Sequence, residues 1–126
     1  MRLLLDTHVF LWYIKNNRRL SKAIQGKISD ATEVYISSAS VWEIAIKSQL
    51  KKMDADIDQI VDAISESGFS ELPITVHHAA IVSRLAGVHR DPFDRMLIAQ
   101  AMYEPLTFLT ADAELSKYSE LVEVIE

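Results

Sequence analysis

The sequence predicts one open α/β domain, a short parallel sheet flanked by helices on both faces. Three observations lead there. The runs Leu3-Leu4-Leu5, Val34-Tyr35-Ile36 and Leu106-Thr107-Phe108-Leu109 are short and apolar, as strands buried on both faces are. Helically spaced segments lie between them, and strands alternating with helices build parallel sheets with right-handed crossovers. A length of 126 residues with 49% apolar residues suits a single core spanning 1–126. A helical bundle is the alternative, and the three short runs count against it.

The elements follow in order. After the first strand, Val9 to Ile14 reads as a helix that Asn16-Asn17 breaks. Ser21 caps a second helix reaching about Asp30, with Ala23, Ile24 and Ile28 on one face. Residues 34–36 are the second strand. Ser38 or Ser40 caps a helix to about Leu50 whose apolar positions Val41, Ile44 and Ala45 keep helical spacing. Residues 56–66 are amphipathic, with Ile57, Ile60, Val61 and Ile64 apolar and Gly68 as the terminator. Phe69 to Ile74 is extended, because Pro73 disfavours helix at Leu72. Thr75 caps Val76 to Ala86, which Gly87 ends. Val88 to Pro92 is a loop, and Phe93 to Tyr103 a helix with Met96, Leu97 and Ala101 facing inward. Residues 106–109 are a buried strand, Asp112 to Tyr118 a short helix, and Leu121 to Ile125 a last strand.

Composition excludes several chemistries. With no cysteine, disulfide scaffolds, thiolate zinc sites, iron–sulfur clusters and cysteine nucleophiles are absent. The opening apolar run is too short for a signal peptide, and no stretch reaches a membrane span, so a cytoplasmic protein without a membrane partner is expected. The net charge of −5 hides an asymmetry: residues 1–52 carry +5 and residues 53–126 carry −10. A basic half suits a polyanion as well as it suits an ordinary solvated face.

Open parallel sheets bind ligands past the carboxyl ends of their strands. Four acids fall there. Asp6 directly follows the first strand. Glu43 lies in the helix after the second, among Trp42, Ile44, Ala45 and Ile46. Asp94 opens the helix leading into the last buried strand, and Asp112 lies three residues past Leu109. Each alone is an ordinary helix-start acid. Together, at one sheet edge, they would repel one another unless a cation offset the charge. All-oxygen ligation selects a hard ion, Mg²⁺ or Mn²⁺. No histidine spacing suggests zinc, and no Gly-rich phosphate loop or nucleophile elbow is present. Carboxylate-held Mg²⁺ suits phosphodiester hydrolysis.

These residues resemble the PIN-domain family of metal-dependent ribonucleases, in particular VapC-type toxins of bacterial toxin–antitoxin pairs. The resemblance runs over essentially the whole chain. Leu4-Leu5-Asp6-Thr7-His8 is similar to the opening motif, and Ser38-Ala39-Ser40-Val41-Trp42-Glu43-Ile44 to the second. The run His89-Arg90-Asp91-Pro92-Phe93-Asp94-Arg95, continuing to Ala101, is similar to the third, and Leu109-Thr110-Ala111-Asp112 to the fourth. The resemblance implies that Asp6, Glu43, Asp94 and Asp112 form an acidic catalytic pocket that holds Mg²⁺, with Asp91 shaping the loop before Pro92. It implies an RNA substrate, a cognate antitoxin as protein partner and a homodimer. Arg90, Arg95 and Lys47 are the candidate substrate contacts nearest the pocket; Lys15, Arg18, Arg19, Lys51 and Lys52 are further candidates. Thr7 and Thr110 are candidates for positioning water. Trp12, Tyr13 and Trp42 are candidates both for core and for partner contact.

Two rival readings are a receiver-like signalling domain and a non-catalytic binding module. A receiver needs an acidic pair after the first strand and a lysine after a late one; Asp6 stands alone and Thr110-Ala111-Asp112 holds no lysine. The complete set of four acids counts against a module without activity.

Overall fold

The computed structural model describes residues 1–87 and 91–125. The elements are β1 (Arg2–Leu5), α1 (Thr7–Ile14), α2 (Lys22–Asp30), β2 (Glu33–Ser37), α3 (Ser38–Gln49), α4 (Ile57–Glu66), β3 (Ser70–Leu72), α5 (Val76–Val82), α6 (Pro92–Tyr103), β4 (Thr107–Thr110), a 3₁₀ turn (Ala113–Lys117) and β5 (Val122–Val124). The five strands pair in the order β3-β2-β1-β4-β5, and every pairing is parallel. The predicted fold class is the observed one.

Strand alternation divides the core in two. Leu3 and Leu5 of β1, Val34 and Ile36 of β2 and Leu109 of β4 point to one side. There they meet Val9, Phe10 and Leu11 of α1, Ile28 of α2 and Ile60 of α4. Leu4 and Phe108 point to the other, against Leu97, Ile98 and Ala101 of α6 and Leu115 of the 3₁₀ turn. A period of two puts neighbouring residues on opposite faces, so a triple leucine run serves both layers.

Chain order reverses beside β1. The chain moves outward through β2 and β3, then returns to place β4 on the other flank of β1. The crevice past the carboxyl ends of β1 and β4 is therefore the topological switch point, where open α/β sheets bind ligands.

Local chemistry corrects several expected boundaries. The cap of α3 is Ser37, whose hydroxyl accepts from the Ala39 N–H at 3.0 Å, and neither Ser38 nor Ser40. Those two have other partners: Ser38 Oγ accepts from Ile74 N–H, and Ser40 packs on Thr7. Helix α5 stops at Val82 rather than Ala86. The amides of Ser83, Arg84 and Leu85 bond back three residues, and Arg95 Nη2 donates to the carbonyls of Val82 and Leu85. A cation on the terminal carbonyls replaces the glycine stop expected at Gly87. Helix α6 begins at Pro92, not Phe93. Asp91 is its cap, accepting from Phe93 N–H at 2.8 Å and Asp94 N–H at 3.2 Å, with Pro92 in the first turn. The segment expected as helix over 112–118 is a 3₁₀ turn capped by Asp112. Gly68 does terminate α4: at φ +79° it lets Phe69 N–H reach the Ile64 carbonyl and its own N–H reach Ser65. The Val88–Arg90 part of the expected loop lies outside the described residues.

The two-layer core makes a prediction. Leu4 is fully buried at the sheet centre, whereas Val76 is 79% exposed. Leu4→Ala is expected to cost about 2–5 kcal/mol in urea denaturation. Val76→Ala is expected to stay within about 0.5 kcal/mol of the parent.

Candidate active site

β1 delivers Asp6 to the switch point. Its backbone N–H bonds to the Leu109 carbonyl of β4 at 2.9 Å, which pins the strand end. Its carboxylate caps α1: Oδ1 accepts from Thr7 N–H at 2.7 Å. The other oxygen, Oδ2, accepts from the Thr110 hydroxyl at 2.5 Å. Thr110 in turn accepts from the backbone N–H of Asp112 at 3.1 Å. The ends of β1 and β4 are thus joined through one carboxylate, which is only 7% exposed.

Glu43 comes from α3 and is 4% exposed. Thr7 joins it to Asp6. Thr7 Oγ1 lies 2.8 Å from Glu43 Oε1 and 2.9 Å from Ser40 Oγ. A hydroxyl has one proton and a carboxylate only accepts, so Thr7 donates to Glu43 and takes the proton of Ser40. One residue thus binds both buried acids, by its amide and by its hydroxyl. The second oxygen of Glu43 accepts from Lys47 Nζ at 2.7 Å. Lys47 also lies in the field of Asp91 and Asp94 at the start of α6, and its pKa is raised, chiefly by the bond to Glu43.

Burial pushes the Asp6 carboxyl above its ordinary range. Hydrogen bonds from Thr110 and Thr7 and the nearby His8 oppose the shift, while the charge of Glu43 adds to it.

The expected acids are therefore not equivalent. Asp6 and Glu43 are buried and bridged. Asp94 is half-buried in the first turn of α6, across from Lys47. Asp112 is tied to the site by its amide, whereas its Oδ1 caps Glu114 N–H at 3.0 Å. Asp91 is the helix cap. Among the described residues, no three acids or histidines stand close enough to enclose a metal ion. The donor set still fits one: Asp6 and Glu43 offer carboxylate oxygens oriented by neutral hydroxyl and amide donors, and the Lys47 ammonium already sits on the second oxygen of Glu43. Arg95 directs Nη2 to two carbonyls, and Arg90 lies outside the described residues. Trp42 is 59% exposed and meets Phe93 edge-on, whereas Trp12 and Tyr13 of α1 pack against the core. The role of Ser40 was missed. Its place three residues before Glu43, on one helix face, is the signal that finds it.

The family model of the PIN domain matches residues 3–121. The chain belongs to the PIN-domain family. Ribonuclease VapC22 of Mycobacterium tuberculosis (strain ATCC 25618 / H37Rv) is 26% identical over 121 residues, covering 91% of this chain and 90% of that protein. The crystal structure of VapBC2 from Rickettsia felis, bound to a DNA fragment from their promoter, shares the fold. It has a TM-score of 0.74 and 15% identity over 97% of this PIN domain and 96% of that chain.

The raised Asp6 pKa predicts a pH effect. A carboxyl whose folded pKa exceeds its unfolded value leaves stability intact below the unfolded value and subtracts from it as pH rises through the folded one. In metal-free buffer the Tm of Asp6→Asn relative to the parent is therefore expected to be higher at pH 7 than near pH ~4, the ordinary carboxylate value. The same difference at both pH values would contradict the assignment.

Proposed function

We propose that this PIN domain is a Mg²⁺-dependent endoribonuclease, the toxin of a toxin–antitoxin pair. The observation that carries the reading is the Thr7 bridge, which holds two buried carboxylates together at the switch point of the sheet. PIN nucleases as a family depend on a divalent metal. Asp6, Glu43, Asp94 and Asp112 are the proposed ligands and catalytic acids. When bound, the ion stabilises charge on the scissile phosphate and orients the attacking water.

The chain's own groups prepare that chemistry. Thr110 and the Thr7 amide fix both oxygens of Asp6, leaving each a lone pair toward the crevice. Thr7, backed by Ser40, fixes the rotamer of Glu43. The first turn of α6 presents Asp94 at a helix start, where negative charge is favoured. Lys47 is the proposed phosphate contact on α3, and Arg95 and Arg90 are proposed beside it. The acids cluster on one end of a domain whose first 52 residues are net basic, so the charge of −5 does not oppose an RNA substrate.

A ribonuclease name on a relative aligned over 91% of this chain supports the RNA substrate. The two-protein VapBC assembly that shares the fold supports an antitoxin partner. Exposed Ile74, Val76, Met102 and Tyr103 on and beside α5 and α6 support a homodimer, which would cover them. A cytoplasmic location accords with the helices, none of which among the described residues is long and apolar enough to cross a membrane.

Cleavage of RNA by the purified protein with and without Mg²⁺ tests the reading. Metal-dependent cleavage is expected, with Asp6→Asn and Asp94→Asn each slowing it by about a hundredfold or more, the scale of losing one charge-stabilising group. Cleavage that persists in chelator, or that both variants retain, would overturn it.

A further inference from the structure

An i,i+4 Glu–Lys pair on a helix is ordinarily a surface device worth a few tenths of a kcal/mol. The pair on α3 differs, because Glu43 is enclosed while Lys47 remains about one-third exposed. Glu43 already takes a neutral hydrogen bond from Thr7 on its other oxygen. A neutral donor satisfies a lone pair without cancelling charge, and a buried carboxylate needs a cation. Lys47 supplies it, at 2.7 Å. The same ammonium also lies in the field of Asp91 and Asp94 at the start of α6. It pairs with the acid of α3 within the field of those of α6, and these acids do not themselves close around an ion. Its stem is a flexible four-carbon chain open to solvent, so it can leave without disturbing the core.

We infer that Lys47 is an exchangeable counter-ion. It offsets the charge of Glu43 when no divalent cation is bound, and it gives way at Glu43 when one binds. This rests on the divalent-cation reading of the pocket. An ion and an ammonium held by the same carboxylate repel each other, so each weakens the other's binding by the same factor. Lys47 thereby sets the affinity of the pocket for metal. The released ammonium, on the first free turn beside Glu43, is then available to a phosphate oxygen.

The experiment compares the full chain with Lys47→Met, which keeps the stem and removes the charge, and Lys47→Gln, which keeps a hydrogen-bond donor. Mn²⁺ alone is titrated by calorimetry, and Tm is read with and without it. Both variants are expected to bind Mn²⁺ roughly five-fold or more tightly than the parent, the lower end of ordinary coupling between sites. Both should melt lower than the parent without metal and gain more from it. Variants that unfold without metal and refold with Mn²⁺ are the extreme form of the same result. Equal or weaker Mn²⁺ binding, or unfolding that Mn²⁺ does not rescue, overturns the inference. If the parent binds Mn²⁺ and the variants match it, the inference alone fails. If neither parent nor variants bind Mn²⁺, the divalent-cation reading itself falls.

Discussion

Everything at the carboxyl end of the sheet depends on keeping two carboxylates, Asp6 and Glu43, almost fully out of water and close together. Burial and mutual repulsion both oppose this. The domain offsets the cost with an array of donors. Thr7 serves both acids, Thr110 holds the far oxygen of Asp6, Ser40 supports Thr7, and Lys47 supplies a formal positive charge to Glu43. The raised pKa of Asp6 shows that the compensation is incomplete. Two desolvated carboxylates whose oxygens are fixed by donors form the proposed seat of a hard cation.

The fold makes this array possible by topology. Parallel pairing of β1 with β4 sets Thr110 beside Asp6 although 104 residues separate them. Pairing of β1 with β2 sets the start of α3 beside the start of α1, so Ser40 and Glu43 meet Thr7. The apolar layers on both faces make that pairing rigid. The site needs no long loop: its buried acids sit on, or one residue beyond, regular elements, the placement that holds side chains to fixed geometry.

Most of the architecture was legible from residue order. Continuous apolar triplets such as Leu3-Leu4-Leu5 mark strands covered on both faces, and Ser21, Asp56-Ile57 and Thr75 mark helix starts by local chemistry alone. What failed was non-local. Nothing near Ser83 announces that Arg95, across the α5–α6 connection, caps the end of α5. Three serines in four residues, Ser37, Ser38 and Ser40, could each cap α3, and only contacts with Ile74 and Thr7 decide among them. Asp91 and Asp94 both suit a helix start; with Pro92 favouring the first helical turn, the cap falls to Asp91. The acid positions themselves could be read, because Asp6 and Asp112 follow strands, Asp94 opens a helix and Glu43 lies among apolar neighbours in the helix after the second strand. Their unequal surroundings could not, since Thr7 and Thr110 meet Glu43 and Asp6 only through the sheet.

The PIN-domain family supplies the chemical setting, and this chain shows how one member holds its acids. The Asp6–Glu43 pair, bridged by Thr7, is the proposed seat of a divalent cation. Anomalous diffraction from crystals grown with Mn²⁺ tests that most directly. The account predicts a peak within metal–oxygen bonding distance of both the Asp6 and Glu43 carboxylates, with the Lys47 ammonium displaced from Glu43. A peak bound elsewhere, or none at the pair in Mn²⁺ that sustains RNA cleavage, would contradict it.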